Sequence, residues 1–109
     1  MANLRATEIG KTIRLATGYN MQNKTSVTAT ITDSGGTAVT VADSRITIPA
    51  SSYSSATLGT LAAYEYATFT TLATDFPSSG TYSIYVTYVD TVSTFYSDVA
   101  SVSVTAVGS

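Results

Sequence analysis

Apolar and polar residues alternate along most of this chain of 109 residues. Val27, Ala29 and Ile31 are separated by threonines, and the same two-residue period recurs over residues 82–89 and 100–105. Successive side chains of a strand point to opposite faces, so this period places one set of residues in a core and the other at the surface. Val, Ile, Thr and Tyr fit a pleated surface well, and no segment shows the 3.6-residue period of an amphipathic helix. The sequence therefore predicts an all-β fold.

Turn-forming residues divide the chain into about seven short strands. Residues 33–36 (Asp-Ser-Gly-Gly) and 90–93 (Asp-Thr-Val-Ser) predict hairpin turns, because Asp and Gly favour tight turns. The predicted strands cover residues 12–17, 26–32, 38–42, 45–48, 64–72, 81–89 and 95–105, the last with an internal break. Short strands separated by turns are typical of an antiparallel β-sandwich. The length fits a single domain at residues 10–109, preceded by an N-terminal arm or edge strand at residues 1–9.

The composition removes most catalytic chemistry. The chain contains no His, Cys or Trp, and only five Lys and Arg and seven Asp and Glu. Without imidazole or thiolate there is no Ser–His–Asp or Cys–His arrangement, and without cysteine there is no disulfide. The carboxylates are well separated in sequence, which argues against a paired-carboxylate glycosidase site and against a calcium-binding loop. We therefore expect a non-enzymatic protein with no metal and no cofactor.

Charge and hydropathy argue against two classes of partner. The net charge is −2, and the basic residues are scattered, so the clustered cations that bind nucleic-acid phosphates are missing. No stretch approaches the roughly 18 consecutive apolar residues of a membrane span. The first ten residues also lack the apolar segment of a secretory signal. We expect no nucleic-acid or membrane partner, and synthesis in a cytoplasm.

The uncharged segment 49–63 differs from the rest because it is rich in Ser, Ala and Thr and follows no clear period. It predicts a long crossover connection between two sheets. Alternatively it is a contact loop, since surfaces of Tyr, Ser and Gly adapt well to partners. In that interpretation Tyr53, Leu58 and Leu61 contact the partner. A single helical turn within residues 50–63 is a further alternative.

Tyrosine is the main aromatic residue, with eight copies. Tyr82, Tyr85 and Tyr88 share one predicted strand, so Tyr85 faces away from the other two. Together with Tyr96 on a neighbouring strand, Tyr85 would form an aromatic patch for a partner. The alternative is cross-strand aromatic pairing that only stabilises the sheet. Tyr85 and Tyr96 are therefore candidate interaction residues.

Residues 75–84 (Asp-Phe-Pro-Ser-Ser-Gly-Thr-Tyr-Ser-Ile) resemble the E–F corner of immunoglobulin-like (Ig-like) domains. In that corner a Gly-x-Tyr motif precedes strand F, and the tyrosine hydroxyl bonds back to the corner backbone. The resemblance gives Asp75, Gly80 and Tyr82 this structural role, and it implies an Ig-like antiparallel β-sandwich of about seven strands without a disulfide. The core Cys pair and Trp of antibody domains are missing. The alternative is that Tyr82 is simply a core aromatic residue at the beginning of a strand.

A pattern over nearly the whole chain comprises residues 8–15, the hairpin at 33–37, the Pro-x-x-Gly-x-Tyr motif and the closing segment 96–104. This pattern resembles the small Ig-like accessory proteins of tailed bacteriophage virions. The resemblance implies a virion structural protein that docks in multiple copies on the capsid or neck, as a decoration or collar subunit. Its partners would be major capsid, neck or tail subunits and copies of itself. A tail or baseplate adaptor is one alternative, and a carbohydrate-binding or adhesion module with weak glycan binding is another.

Overall fold

The computed structural model describes residues 4–56 and 59–106, and within these ranges the chain is built from β-strands. The only helical element among the described residues is a short 3₁₀ turn, Asp43–Arg45. The strands are β1 (Leu4–Arg5), β2 (Thr12–Ala16), β3 (Ser26–Thr32), β4 (Ala38–Val41), β5 (Tyr53–Ser55), β6 (Gly59–Leu61), β7 (Tyr66–Thr70), β8 (Gly80–Val89), β9 (Thr94–Tyr96) and β10 (Ala100–Thr105). The prediction of an all-β fold is confirmed.

Strand β8 lies at the centre of the larger sheet. β3 pairs antiparallel along one edge of β8, and β4 pairs with β3. β10 and β9 share the opposite edge, with β10 along the beginning of β8 and β9 along its end. The short β1 runs parallel to β10, so the sheet order is β1-β10-β8-β3-β4 with β9 attached to β8. The remaining strands form two pairs, β2 with β7 and β5 with β6.

The predicted break in the last strand lies between β9 and β10. The Ser97 hydroxyl accepts a hydrogen bond from the Val86 N–H at 2.8 Å, and the Ser97 N–H donates to the Val86 carbonyl at 2.9 Å. Asp98 and Val99 are exposed, and pairing with β8 resumes at Ala100. The serine side chain therefore satisfies a backbone N–H of β8 where the ladder is interrupted.

One hydrophobic cluster joins the larger sheet to the β2–β7 pair. Ile13 of β2 and Phe69 of β7 are buried in it. The larger sheet contributes Val27, Ala29, Ile31, Tyr82, Ile84, Val86, Tyr88, Val102 and Val104. These are the apolar positions of the two-residue period, so the predicted assignment of faces is confirmed. Burying one large apolar side chain in such a core stabilises the fold by about 1.5–3 kcal/mol.

Several strand boundaries, and the number of strands, differ from the prediction. Ser26–Thr32 is a strand over its full predicted length, and both predicted hairpin turns are confirmed. The strand predicted at residues 45–48 is wrong, because Arg45 ends the 3₁₀ turn and Thr47 makes only an isolated bridge with Thr68. The described residues form ten strands instead of about seven.

The segment 49–63 connects β4 of the larger sheet to β7 of the smaller one, as the crossover interpretation predicts. It is more regular than expected, because Tyr53–Ser55 and Gly59–Leu61 pair as an antiparallel hairpin. Gly59 has a φ of 72°, which favours glycine. The helical turn considered for this segment is wrong over its described part.

Within the N-terminal segment predicted as an arm or edge strand, β1 lies at the edge of the larger sheet. Leu4 is buried and lies opposite Val104 of β10. The Thr7 N–H donates to the Phe76 carbonyl at 2.8 Å, which ties the segment to the corner before β8. From Leu4 onward, this segment therefore packs against its own domain.

Candidate docking face and the corner beside it

Over β3, β4, β8, β9 and β10, the outer face of the larger sheet is uncharged, because these strands contain no Asp, Glu, Lys or Arg. The short edge strand β1 adds Arg5, whose guanidinium donates to the Thr105 hydroxyl at 2.6 Å. Most side chains that point away from the core carry a hydroxyl group. We call this surface the hydroxyl face; it comprises Ser26, Thr28, Thr30, Thr32, Thr40, Thr81, Ser83, Tyr85, Thr87, Thr94, Tyr96, Ser101, Ser103 and Thr105. Charged groups are depleted from the cores of protein interfaces, so the lack of charge suits a contact surface.

The strand register aligns these hydroxyl groups in rows across the sheet. Thr30 lies between Tyr85 on β8 and Thr40 on β4, and the next row brings Thr32 beside Ser83. Neighbouring strands are about 4.8 Å apart, and alternate residues of one strand are about 6.8 Å apart. The face therefore presents a regular array of hydrogen-bonding groups.

The two tyrosines predicted for contact lie side by side on this face. Their ring centroids are 6.2 Å apart, at an interplanar angle of 66°. Tyr85 faces away from the buried Tyr82 and Tyr88, as predicted. It is half-buried, whereas Tyr96 is 61% exposed. The pair makes the cross-strand aromatic contact that was predicted to stabilise the sheet. It also leaves Tyr96 accessible, as an aromatic patch for a partner requires.

Two other predicted contact residues, Tyr53 and Leu61, lie in the β5–β6 hairpin, which packs on the chain's own surface. The guanidinium carbon of Arg14 is 3.9 Å from the centre of the Tyr53 ring. The Tyr66 hydroxyl donates to the backbone just before β5 at 3.0 Å. Leu61 is only 7% exposed, so it is not available to a partner, and Tyr53 is half-buried. Leu58 lies outside the described residues.

The corner before β8 is closed by Tyr82. Its hydroxyl donates to the Ser78 carbonyl at 2.7 Å and accepts from the Ser78 N–H at 3.2 Å. Its buried ring meets Phe76 edge-on, with the centroids 5.1 Å apart. Gly80 begins β8 with a φ of 139°, a backbone conformation that favours glycine. Tyr82 is thus a core residue and also makes the bond to the corner backbone that the resemblance implies.

The third predicted corner residue, Asp75, is fully buried and paired with Arg45. The two terminal nitrogens of Arg45 donate to the two carboxylate oxygens at 3.0 and 2.6 Å. The Leu72 N–H donates to Asp75 Oδ2 at 2.8 Å, and Arg45 Nη2 also donates to the Thr70 carbonyl. The hydrogen bonds from Arg45 to Asp75 raise the pKa of Arg45. A two-point guanidinium–carboxylate pair of this kind is strong and fixed in orientation.

Arg45 is a functional partner of Asp75 that was not predicted from the sequence. The two residues are 30 positions apart, and no local spacing rule joins them. One signal was available: Arg45 directly precedes an apolar Ile-Thr-Ile run in a chain with five basic residues. A cation beside core residues needs a buried counter-charge, because burying an isolated charge is costly.

Two other carboxylates, those of Asp43 and Asp90, accept backbone hydrogen bonds in the segments that connect strands. Asp43 accepts the Val27 N–H at 2.8 Å and pairs with Lys24 at 3.1 Å, and these contacts lower the pKa of Asp43. Asp90 accepts the N–H groups of Ser93 and Val92, both at 2.7 Å, which lower the pKa of Asp90. Hydrogen bonds to the ionised carboxylate favour the charged form, so both groups stabilise their turns as anions.

No cluster of three or more His, Cys, Asp or Glu side chains that could hold a metal ion is present in residues 4–56 and 59–106. Over the same residues, every buried side-chain nitrogen and oxygen has a hydrogen-bond partner. None of the described elements is a helix long and apolar enough to span a membrane.

No protein-family model matches the chain, and no curated protein or solved structure shows significant similarity to it. The likeness to Ig-like domains and to phage accessory proteins therefore stays a prediction based on the residues and the strand arrangement.

Proposed function

We propose that this chain is a non-enzymatic, Ig-like structural subunit of a tailed-phage virion, and that it docks on other virion proteins through the hydroxyl face. The observation that carries the docking role is the uncharged outer face of β3, β4, β8, β9 and β10, with the exposed Tyr96 beside Tyr85. The phage setting is inferred from the pattern of the sequence.

The strand arrangement supports the Ig-like part of the proposal. In Ig-like domains, one sheet contains strands C, F and G, and the other contains strands B and E. β3, β8 and β10 correspond to the first set in order and antiparallel pairing, and β2 and β7 correspond to the second. The Thr47–Thr68 bridge adds a third segment to the smaller sheet. The Tyr82 hydroxyl closes the corner before the strand that corresponds to F.

Docking through the hydroxyl face would combine aromatic burial with many hydroxyl hydrogen bonds. A tyrosine can bury roughly 150–250 Å² of surface and still satisfy its hydroxyl group. The centre of the face contains no charge that would have to be desolvated, and Arg5 lies at the β1 edge. A flat, complementary protein surface can therefore cover β3, β4 and β8 at low electrostatic cost. Each contact can be weak, because a repeating capsid or neck lattice holds many copies at high effective concentration. A decoration or collar subunit fits this mode best, and a tail or baseplate adaptor would use the same face.

A charge placed in the middle of the face tests the proposal. Thr30→Arg introduces a guanidinium between Tyr85 and Thr40, whereas Thr60→Arg places the same group on the exposed β6 as a matched control. Each variant is mixed with the purified major capsid, neck and tail proteins of the particle and analysed by size-exclusion chromatography with light scattering. We expect the wild type and Thr60→Arg to bind one of these proteins and Thr30→Arg to lose that binding. No association of the wild type with any of them would refute the docking role.

A second candidate function is glycan binding, which the accessible ring of Tyr96 favours. Sugars stack on exposed aromatic rings, and the surrounding hydroxyl groups could hydrogen-bond to them. A glycan array with the wild type and Tyr96→Ser separates the two functions. Saturable binding to defined sugars that Tyr96→Ser abolishes would favour adhesion, whereas no binding to any sugar would favour protein docking.

A further inference from the structure

One edge of β2 has no strand beside it in the part of the chain that the structure describes. The Thr17 N–H donates to the Glu65 carbonyl at 3.0 Å, next to the last residue pair of the β2–β7 ladder. Bonded and non-bonded pairs alternate along an antiparallel ladder, so the odd-numbered residues of β2 bond to β7. The backbone groups of Thr12, Arg14 and Ala16 therefore point to the open edge.

A groove of about 360 Å³ lies beside this edge. Arg14, Leu15 and Ala16 form one wall, and residues 97–101, at the break between β9 and β10, form the other. Val99 in this second wall is 64% exposed. A strand added to β2 would gain backbone hydrogen bonds and also cover this apolar surface, which is the combination used in β-strand addition.

The two walls carry opposite charges. Arg14 is on one wall and Asp98 is on the other, and neither belongs to an ion pair within the described residues. A two-fold axis brings the same surface of two subunits together, so that residue i of one meets residue j of the other twice. A second copy of this chain can therefore supply a counter-charge for both residues, in addition to the stacking of the Arg14 guanidinium on the Tyr53 ring.

We propose that two copies of this chain associate by antiparallel pairing of their β2 edges, about a two-fold axis beside Leu15. In that register Arg14 lies opposite the second copy's Ala16, and each such pair exchanges two backbone hydrogen bonds. The two Arg14 residues are not directly opposite each other, which avoids like-charge repulsion. The β2–β7 sheet then continues across the contact into the second copy. The inference deepens the proposed docking function, on which it rests, by naming the surface through which copies join.

A proline on the open edge tests the proposed pairing. Ala16→Pro removes an N–H that points away from β7, so the monomer keeps its ladder while strand addition is blocked. Thr40→Pro on β4 is a matched control, because Thr40 is exposed and its N–H points away from β3. The direction of the Thr40 N–H follows from the Asp33–Thr37 pair, which is hydrogen-bonded and lies at the end of the β3–β4 ladder, because bonded and non-bonded pairs alternate along a ladder.

Sedimentation velocity from about 10 µM to about 1 mM measures the self-association of each protein. We expect the wild type and Thr40→Pro to dimerise reversibly, and Ala16→Pro to bind at least about tenfold more weakly. A wild type that stays monomeric, or an Ala16→Pro variant that dimerises like the wild type, would overturn the proposal. Neither result would bear on the proposed docking through the hydroxyl face, which Thr30→Arg tests separately.

Amide exchange of the wild type gives a readout that does not depend on a variant folding. The N–H groups of Thr12, Arg14 and Ala16 have no strand partner among residues 4–56 and 59–106, so pairing should slow their exchange as the concentration rises. The N–H groups of Ala38 and Thr40 on β4 should not change. Exchange rates at β2 that do not depend on concentration would contradict the pairing.

Reversing the two charges tests the two-fold geometry. Arg14→Glu and Asp98→Arg should each weaken the dimer, and the double variant should bind more tightly than either single variant. A double variant no tighter than the weaker single variant would contradict the two-fold arrangement.

Discussion

Replacing Arg45 with alanine should remove a large part of the stability of this domain. Asp75 is fully buried, and Arg45 donates to both of its carboxylate oxygens. Alanine would leave this carboxylate inside the protein with only the Leu72 N–H as a described donor. Removing one partner of a buried ion pair costs about 3–5 kcal/mol, because the remaining charge is desolvated and uncompensated.

The magnitude follows from two independent considerations. Two hydrogen bonds to a charged group contribute about 1.5–3 kcal/mol each, which is compatible with the cost of an orphaned charge. The Arg45 side chain is 25% exposed, so water can reach the vacated site, and we expect a loss in the lower part of the range, about 3–4 kcal/mol. A domain of this size has about 5–15 kcal/mol in total. The Tm should therefore fall by more than about 10 °C.

Urea unfolding followed by tyrosine fluorescence and circular dichroism measures this loss. Lys24→Ala is the control, because it breaks the more exposed Lys24–Asp43 pair and should cost only about 0–1 kcal/mol. The double variant Arg45→Met with Asp75→Asn removes both charges and should be more stable than Arg45→Ala. If Arg45→Ala costs no more than Lys24→Ala, the pair does not behave as a buried ion pair and the reasoning is wrong.

Three further variants test the corner and the acid response. Tyr82→Phe removes the hydroxyl that bonds to Ser78 and should lower the free energy of unfolding in urea by about 1–2 kcal/mol. An unchanged urea midpoint would show that this hydroxyl does not stabilise the corner. Gly80→Ala should cost about 1 kcal/mol from backbone strain alone, because a Cβ there meets nothing within 4 Å. The pKa of Asp43 is lowered, so its stabilisation is complete above the ordinary pKa of 3.8 and is lost as the pH falls through the lowered pKa. Asp43→Asn should therefore flatten the acid side of a stability–pH curve, and an unchanged slope would contradict this.

Local periodicity predicted the strands well where one face is buried and the other is not. Residues 26–32 alternate cleanly and form a strand over that full span. Residues 45–48 also alternate, but only Thr47 reaches a neighbouring strand there, and Arg45 is drawn into the pair with Asp75. Alternation indicates which side chains are buried, and Ile46 is indeed buried. Alternation does not indicate whether the backbone of a partner strand lies alongside.

The contacts that the sequence did not predict are those between distant parts of the chain. An edge strand was among the predictions for residues 1–9, but its partner was not predicted, because the parallel pairing of β1 with β10 joins residues about 100 positions apart. The β5–β6 hairpin forms in a segment of small polar residues, where its packing depends on Arg14 and Tyr66 from other strands. Consequently Leu61 is buried, although its sequence context resembles an exposed loop.

The uncharged centre of the sheet face has a practical consequence for how attachment responds to ionic strength. Added salt screens interactions between charges, so binding that depends on hydroxyl groups and tyrosine rings should persist from low to high ionic strength. The groove between Arg14 and Asp98 differs, because an attraction made there weakens as counter-ions accumulate. A titration with sodium chloride therefore distinguishes the two surfaces of one molecule without altering a residue.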